Sequence, residues 1–185
     1  MKKRIFIAIN LPDSAKKELN NLISQTKKIN PSQSIRYVRA KTIHLTLHFL
    51  GDLDLNQIKK VKKVILDISH NYSQNYLTTE KIDAFPNLKN PKIIFLSCKQ
   101  KQGNSLSSLQ KNLGKNLEKI NIDVDHRTWR PHLTLARIKG PCHFKTENIS
   151  IPKLQISVKS VEIMESNLST HGAKYKIIES YTLKK

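Results

Sequence analysis

The chain has 185 residues, enough for one domain or two closely packed lobes, and its 38% hydrophobic content can build a core. Its 33 Lys+Arg against 14 Asp+Glu give a formal net charge of +19, a field that attracts polyanions, with nucleic acid the first expectation and a merely solubilising lysine-rich surface the alternative. Two cysteines, Cys98 and Cys142, are too few for a disulfide framework or a cysteine-based zinc site, and no run approaches the ~20 apolar residues of a membrane span, so a soluble, reduced, cytoplasmic protein is expected.

Taken in order, Ile5 to Ile9 is an apolar run of strand length, short for a signal-peptide core and suited to a buried strand. Leu11-Pro12-Asp13 stops it, and Asp13 or Ser14 can cap a helix with Leu19, Leu22, Ile23 and Ile29 near helical spacing, ended by Asn30-Pro31. Ile35 to Arg39 alternates as a short strand. His44-Leu45-Thr46-Leu47 opens the next strand; strict alternation puts Ile43, Leu45, Leu47 and Phe49 on one face and His44, Thr46 and His48 on the other, with Gly51-Asp52 as its end. Asp54 can cap a helix whose apolar stripe is Ile58, Val61, Val64, Ile65 and Ile68, opposite Lys59, Lys60, Lys62 and Lys63; that lysine face is read as solvated before it is read as a phosphate contact.

Asn71 to Asn75 reads as a polar linker, Phe85-Pro86-Asn87 as a turn and Ile93 to Leu96 as a second buried strand. Gly103-Asn104-Ser105 separates it from a helix through Leu106, Leu109, Leu113 and Leu117, which Gly114 weakens by about 1 kcal/mol relative to Ala. Ile120 to Val124 reads as a strand. Pro131 holds Arg130 extended, leading into a second motif strand, His132-Leu133-Thr134-Leu135. Lys139-Gly140-Pro141 is a loop. Leu154, Ile156, Val158, Val161 and Ile163 fit one long or two short strands; His171-Gly172 is a turn, and Tyr175, Ile177 and Tyr181 belong to a closing strand. Strands and helices mix without regular βαβ alternation, which fits an α+β class.

The two His-x-Thr copies stand 88 residues apart. In a strand, residues i and i+2 leave the same face, so each copy presents one imidazole and one hydroxyl in front and buries its leucines behind. One such copy is an ordinary half-exposed pair; two, one in each half of the chain, can place two imidazoles in one cavity. That equips a site for acid–base chemistry, one histidine taking a proton while the other gives one. His44 and His48 have the spacing of a zinc-protease helix but lack its glutamate and lie in a strand. Cys142-His143 has no second pair at ligand spacing. No nucleophile-elbow sequence marks a serine triad, and no glycine-rich phosphate loop marks an ATP site. No metal and no cofactor is expected. His70 and His126 read as surface residues.

These motifs resemble those of the 2H phosphoesterase superfamily, and most closely those of the RNA 2′,3′-cyclic phosphodiesterases, also called 2′-5′ RNA ligases. The likeness runs nearly end to end: Arg4 to Ile9 with Leu11-Pro12, Ile35-Arg36-Tyr37-Val38, His44 to Gly51, Phe85-Pro86, Arg130-Pro131-His132-Leu133-Thr134-Leu135-Ala136-Arg137, Glu165 to Leu168 and Gly172 to Tyr175. It implies one bilobal α+β domain over residues 1–185, two antiparallel-sheet lobes with outer helices about a central cleft. It implies opening of 2′,3′-cyclic phosphate RNA ends to 2′-phosphates, in some members with ATP-independent 2′-5′ joining. His44 and His132 are then the catalytic pair, with His132 chosen as base and His44 as acid, an order the sequence does not force. Thr46, Thr134 and Arg137 would bind the substrate phosphate, although by strict alternation Arg137 points to the core unless the strand bulges or ends before it. The partner is RNA with cyclic phosphate ends, tRNA-like fragments included, bound by a monomer away from any membrane. An RNA-binding module without catalysis is the other reading, opposed by intact His and Thr at all four motif positions. His48 and Trp129 carry no assigned role.

Overall fold

The structure, a computed structural model, describes residues 2–100, 106–169 and 172–185. The expected separator Gly103-Asn104-Ser105 and His171 of the expected turn lie outside the described residues. Strand β1 (Lys3–Asn10) buries Ile5 to Ile9 and feeds α1 (Asp13–Ile29). Neither Asp13 nor Ser14 caps that helix: Pro12 holds the cap position, without a side-chain hydrogen bond. After β2 (Ile35–Tyr37) a single 3₁₀ turn (Ala40–Thr42) leads into β3 (His44–Leu53), which continues past Gly51 because that glycine takes a left-handed φ of 71° inside the strand. Helix α2 (Leu55–Ser69) starts at Asp54, whose carboxylate accepts from the Gln57 N–H while Gln57 Oε1 accepts from the Asp54 N–H, a complete capping box.

Then come β4 (Asn75–Phe85), β5 (Ile93–Gln100), α3 (Leu106–Glu118), β6 (His132–Ile138), β7 (Gln155–Val158), β8 (Ser160–Ser169) and β9 (Gly172–Thr182). Two expectations are corrected here. Ile120 to Val124 is not a strand: Asn121 takes φ 60°, and Ile122 plugs the core behind α3. Strand β4 is additional to those expected. The Phe85–Pro86 bond is cis.

The nine strands form one antiparallel α+β sheet in the order β7-β4-β5-β6-β3-β1-β8-β9, with β2 beside the far end of β6. Outward from the seam each half repeats itself. A motif strand (β3 or β6) comes first, then the buried strand that precedes it through a helix (β1 with α1, β5 with α3), then two outer strands. The halves meet where Leu45 pairs with Leu133. Leu19, Leu45, Leu96, Leu113, Leu133 and Ile156 belong to one continuous core.

The β1–β3 and β5–β6 ladders carry the same defect in the same place. Ile7 pairs with His48 and Ala8 with Thr46, so Leu47 is an extra residue; Ile94 pairs with Ala136 and Phe95 with Thr134, so Leu135 is an extra residue. A bulge of this kind shifts every later side chain to the other face. Leu47 and His48 are both buried and Phe49 returns to the front; Leu135 and Ala136 are both buried and Arg137 returns to the front. The strict alternation expected for β3 is therefore wrong beyond Thr46. His48 lies on the core side, its Nε2–H donating to the Gln110 carbonyl at 2.8 Å, and Phe49 is 61% exposed in the cleft. Gly114 makes room for that imidazole, since a Cβ there would sit 3.0 Å from His48 Cε1.

Candidate active site

Both motif histidines are held alike. His44 Nδ1–H donates to the Thr42 carbonyl at 2.9 Å, and His132 Nδ1–H donates to the Arg130 carbonyl at 2.7 Å. A carbonyl oxygen only accepts, so the proton of each neutral ring is on Nδ1 and the lone pair is on Nε2. In each case the acceptor is the carbonyl two residues back. The Arg130 carbonyl is presented by the extended backbone that Pro131 imposes, and the Thr42 carbonyl by the end of the 3₁₀ turn.

Aromatic rings fix the two imidazoles laterally. His44 lies 4.8 Å from Phe6 and 5.0 Å from Tyr175, ring centre to ring centre; His132 lies 5.1 Å from Phe95 and 5.2 Å from Phe85. Phe6 and Phe95 hold matching places on β1 and β5. Sequence reasoning missed these four rings, although Phe6 and Phe95 stand 38 and 37 residues before their histidines, a second repeat that was there to be read.

Burial pushes both imidazoles below their ordinary pKa of 6.5, and the hydrogen bonds to the carbonyls partly oppose it. For His44 the nearby His132, Arg137 and Lys16 add to the lowering, and for His132 Arg137 does. Arg137 thus bears on both rings, and His132 bears on His44.

Thr46 and Thr134 are half-buried on the same front face as the histidines, and among the described residues neither hydroxyl has a protein hydrogen-bond partner, leaving both to donate to a ligand. A cleft of about 650 Å³ opens over Thr46 and His132, walled by Phe49, Phe85, Pro86, Trp129 and Arg130. Trp129 Nε1–H donates to the Thr46 carbonyl at 2.9 Å and ties the strand entering β6 to β3. Lys59, Lys60, Lys62 and Lys63 are not among the residues lining this cleft; Lys62 pairs with Glu179 on β9. His126 is exposed and lies 3.4 Å from Glu118, while His70 caps the end of α2. Among the described residues no group of three His, Cys, Asp or Glu is placed to hold a metal ion, and no helix is long and apolar enough to cross a membrane.

A family model described as LigT like Phosphoesterase matches residues 9–95. A curated relative from Methanothermobacter thermautotrophicus, named RNA 2′,3′-cyclic phosphodiesterase, is 25% identical, the match covering 99% of this chain and 100% of the relative. The fold is similar to that of the crystal structure of TT0787 of Thermus thermophilus, with a TM-score of 0.81 at 22% identity over 98% of each chain. It is also similar to that of E. coli LigT complexed with 3′-AMP, with a TM-score of 0.77 at 21% identity over 100% of each chain.

Proposed function

We propose that the chain is a LigT-like phosphoesterase of the 2H superfamily and hydrolyses 2′,3′-cyclic phosphate ends of RNA to 2′-phosphates by two-histidine acid–base catalysis, a reading supported by the family model over residues 9–95 and the full-length likeness to curated RNA 2′,3′-cyclic phosphodiesterases. The observation that carries this reading is the matched pair of imidazoles, each with Nδ1–H tied to a carbonyl and Nε2 left for chemistry on one face. A cyclic phosphodiester needs a water deprotonated on one side of phosphorus and an oxygen protonated on the other. His132 Nε2 takes the proton from water as the new P–O bond forms; His44 Nε2–H gives a proton to the 3′-oxygen as the P–O3′ bond breaks. The ring opens, the phosphate stays on O2′, and one proton has crossed the pair.

Thr46 and Thr134 donate to the non-bridging oxygens, whose charge rises in the transition state. Arg137, brought to the front by the Leu135 bulge, adds its guanidinium to the same charge. If an RNA 5′-hydroxyl takes the place of water, the same proton transfers form a 2′-5′ bond without ATP. RNA ends of this chemistry, tRNA-like fragments among them, are the proposed substrates, met by a cytoplasmic monomer that needs no cofactor.

The test is the product. The protein incubated with a nucleoside 2′,3′-cyclic phosphate should yield the 2′-monophosphate by ³¹P NMR; the 3′-monophosphate, or no turnover, would overturn the reading. The threonines are expected to matter less than the histidines. Thr46→Val and Thr134→Val should each cost about 1–3 kcal/mol in kcat/KM, the usual loss for one hydrogen-bond donor, with the loss mainly in kcat. A loss confined to KM would make these hydroxyls ground-state contacts only.

A further inference from the structure

Arg36 and Arg137 are directly opposed. They are register partners on β2 and β6, and directly opposed residues of an antiparallel pair project from the same face. Both are exposed, and among the described residues neither has an acidic partner. Like charges in this position destabilise a sheet unless an anion lies between them. From Arg36 the chain runs on through Arg39 and Lys41, on the path between β2 and His44, and neither of these has an ion-pair partner among the described residues. Arg39 and Lys41 also line a second depression of about 350 Å³ with Asn20, Ser24, Lys27 and Tyr37 at the edge of α1. Lys27 sits 5.6 Å above the centre of the Tyr37 ring. Arg36 thus stands beside Arg137 on the front of β2 and β6, and Arg39, Lys41 and Lys27 gather past the edge of β2 at the depression beside α1. The lysines of α2 are turned elsewhere, toward β9 in the case of Lys62.

We propose that Arg36, Arg39, Lys41 and Lys27 form a track for the sugar–phosphate backbone of single-stranded RNA, so that an oligonucleotide leaves the active site across β2 and the edge of α1. The proposal rests on the function proposed above and gives that site a path for the strand beyond its cyclic end. Each cation neutralises one backbone phosphate, and affinity follows the number neutralised rather than the bases.

Two variants that remove the same charge from different places separate this track from the general field of the protein. One is Arg36→Ala/Arg39→Ala/Lys41→Ala; the other is Lys59→Ala/Lys60→Ala/Lys63→Ala. The readout is the affinity for a fluorescent RNA of about eight nucleotides ending in a 2′,3′-cyclic phosphate, measured by anisotropy over a range of salt at a pH that suppresses turnover. The first variant should bind about tenfold more weakly or worse at moderate salt, and its log–log salt slope should be shallower by about 2, at ~0.7 for each backbone phosphate no longer neutralised. The second should stay within about twofold of the parent. Equal losses in the two variants would reduce the track to the overall charge, and no loss in the first would remove it. Because binding is read without turnover, hydrolysis of a cyclic mononucleotide by the parent protein reports on the proposed function separately.

Discussion

Replacing His44 or His132 by alanine is expected to lower kcat for a nucleoside 2′,3′-cyclic phosphate by ~10²–10⁴, the range for loss of a positioned acid or base. Each imidazole is held between two aromatic rings with its Nδ1–H on a carbonyl, so neither ring has to find its place during the reaction. Alanine removes that preorganised group and leaves the threonines and the cleft in place. The double variant should lose far less than the product of the two single losses, because a base without an acid, or an acid without a base, already idles most of the device. Single-turnover rates on the same substrate check this. Near-normal turnover in either single variant would take that histidine out of the reaction.

Arg137→Ala is expected to lower kcat/KM by about 10–150-fold, the equivalent of losing a charged hydrogen bond of about 1.5–3 kcal/mol, and to move the pH profile. Burial first, and the Arg137 guanidinium in addition, hold both imidazoles below 6.5 in the folded protein. The proposed mechanism needs one ring neutral and the other protonated. Its rising limb, where the base loses its proton, and its falling limb, where the acid does, are therefore both displaced to the acid side of their positions for free histidines. Removing the guanidinium removes one cause of the lowering from each ring, so both limbs of kcat/KM should move to higher pH. Arg137→Lys should keep the pH position better than it keeps the rate, since it restores charge without the planar fork. A fall in rate with no movement of either limb would place Arg137 away from the pair.

Most of this site could be read from periodicity. The repeated His-x-Thr at i and i+2 placed one imidazole and one hydroxyl on the front of each strand, and His44, Thr46, His132 and Thr134 lie there. On β3 the reading broke at the next residue, whereas on β6 the out-of-phase Arg137 already pointed to a bulge or a strand end. A side-chain period of two holds only while each residue has one partner, and Leu47 and Leu135 are extra residues whose presence is decided by the neighbouring strands. The clue was local: strict alternation would have put the charge of Arg137 into the core, and the same four-residue phrase would have put the ring of Phe49 there. Taken together, the two repeats call for a bulge after the threonine.

Other features had weaker signals. Strand β4 carries the polar run Thr78-Thr79-Glu80-Lys81 at its centre, and a register shift between Thr79 and Ile82 breaks the alternation of its buried residues Leu77, Thr79, Ile82 and Ala84. The alternation of Ile120, Ile122 and Val124 suggested a strand, yet the left-handed Asn121 turns the chain so that Ile122 alone is fully buried. The buried imidazole of His48 depends on a helix carbonyl 62 residues further on, which no local pattern encodes.

The claim beneath all of this is that two imidazoles suffice, with no metal taking part in the proton transfers. It is tested most directly by stripping the protein with EDTA and following hydrolysis of a nucleoside 2′,3′-cyclic phosphate in buffer that still contains the chelator. Turnover should equal that of the untreated protein and be lost in His44→Ala and His132→Ala under the same conditions. Turnover abolished by the chelator and restored by zinc or manganese would contradict it.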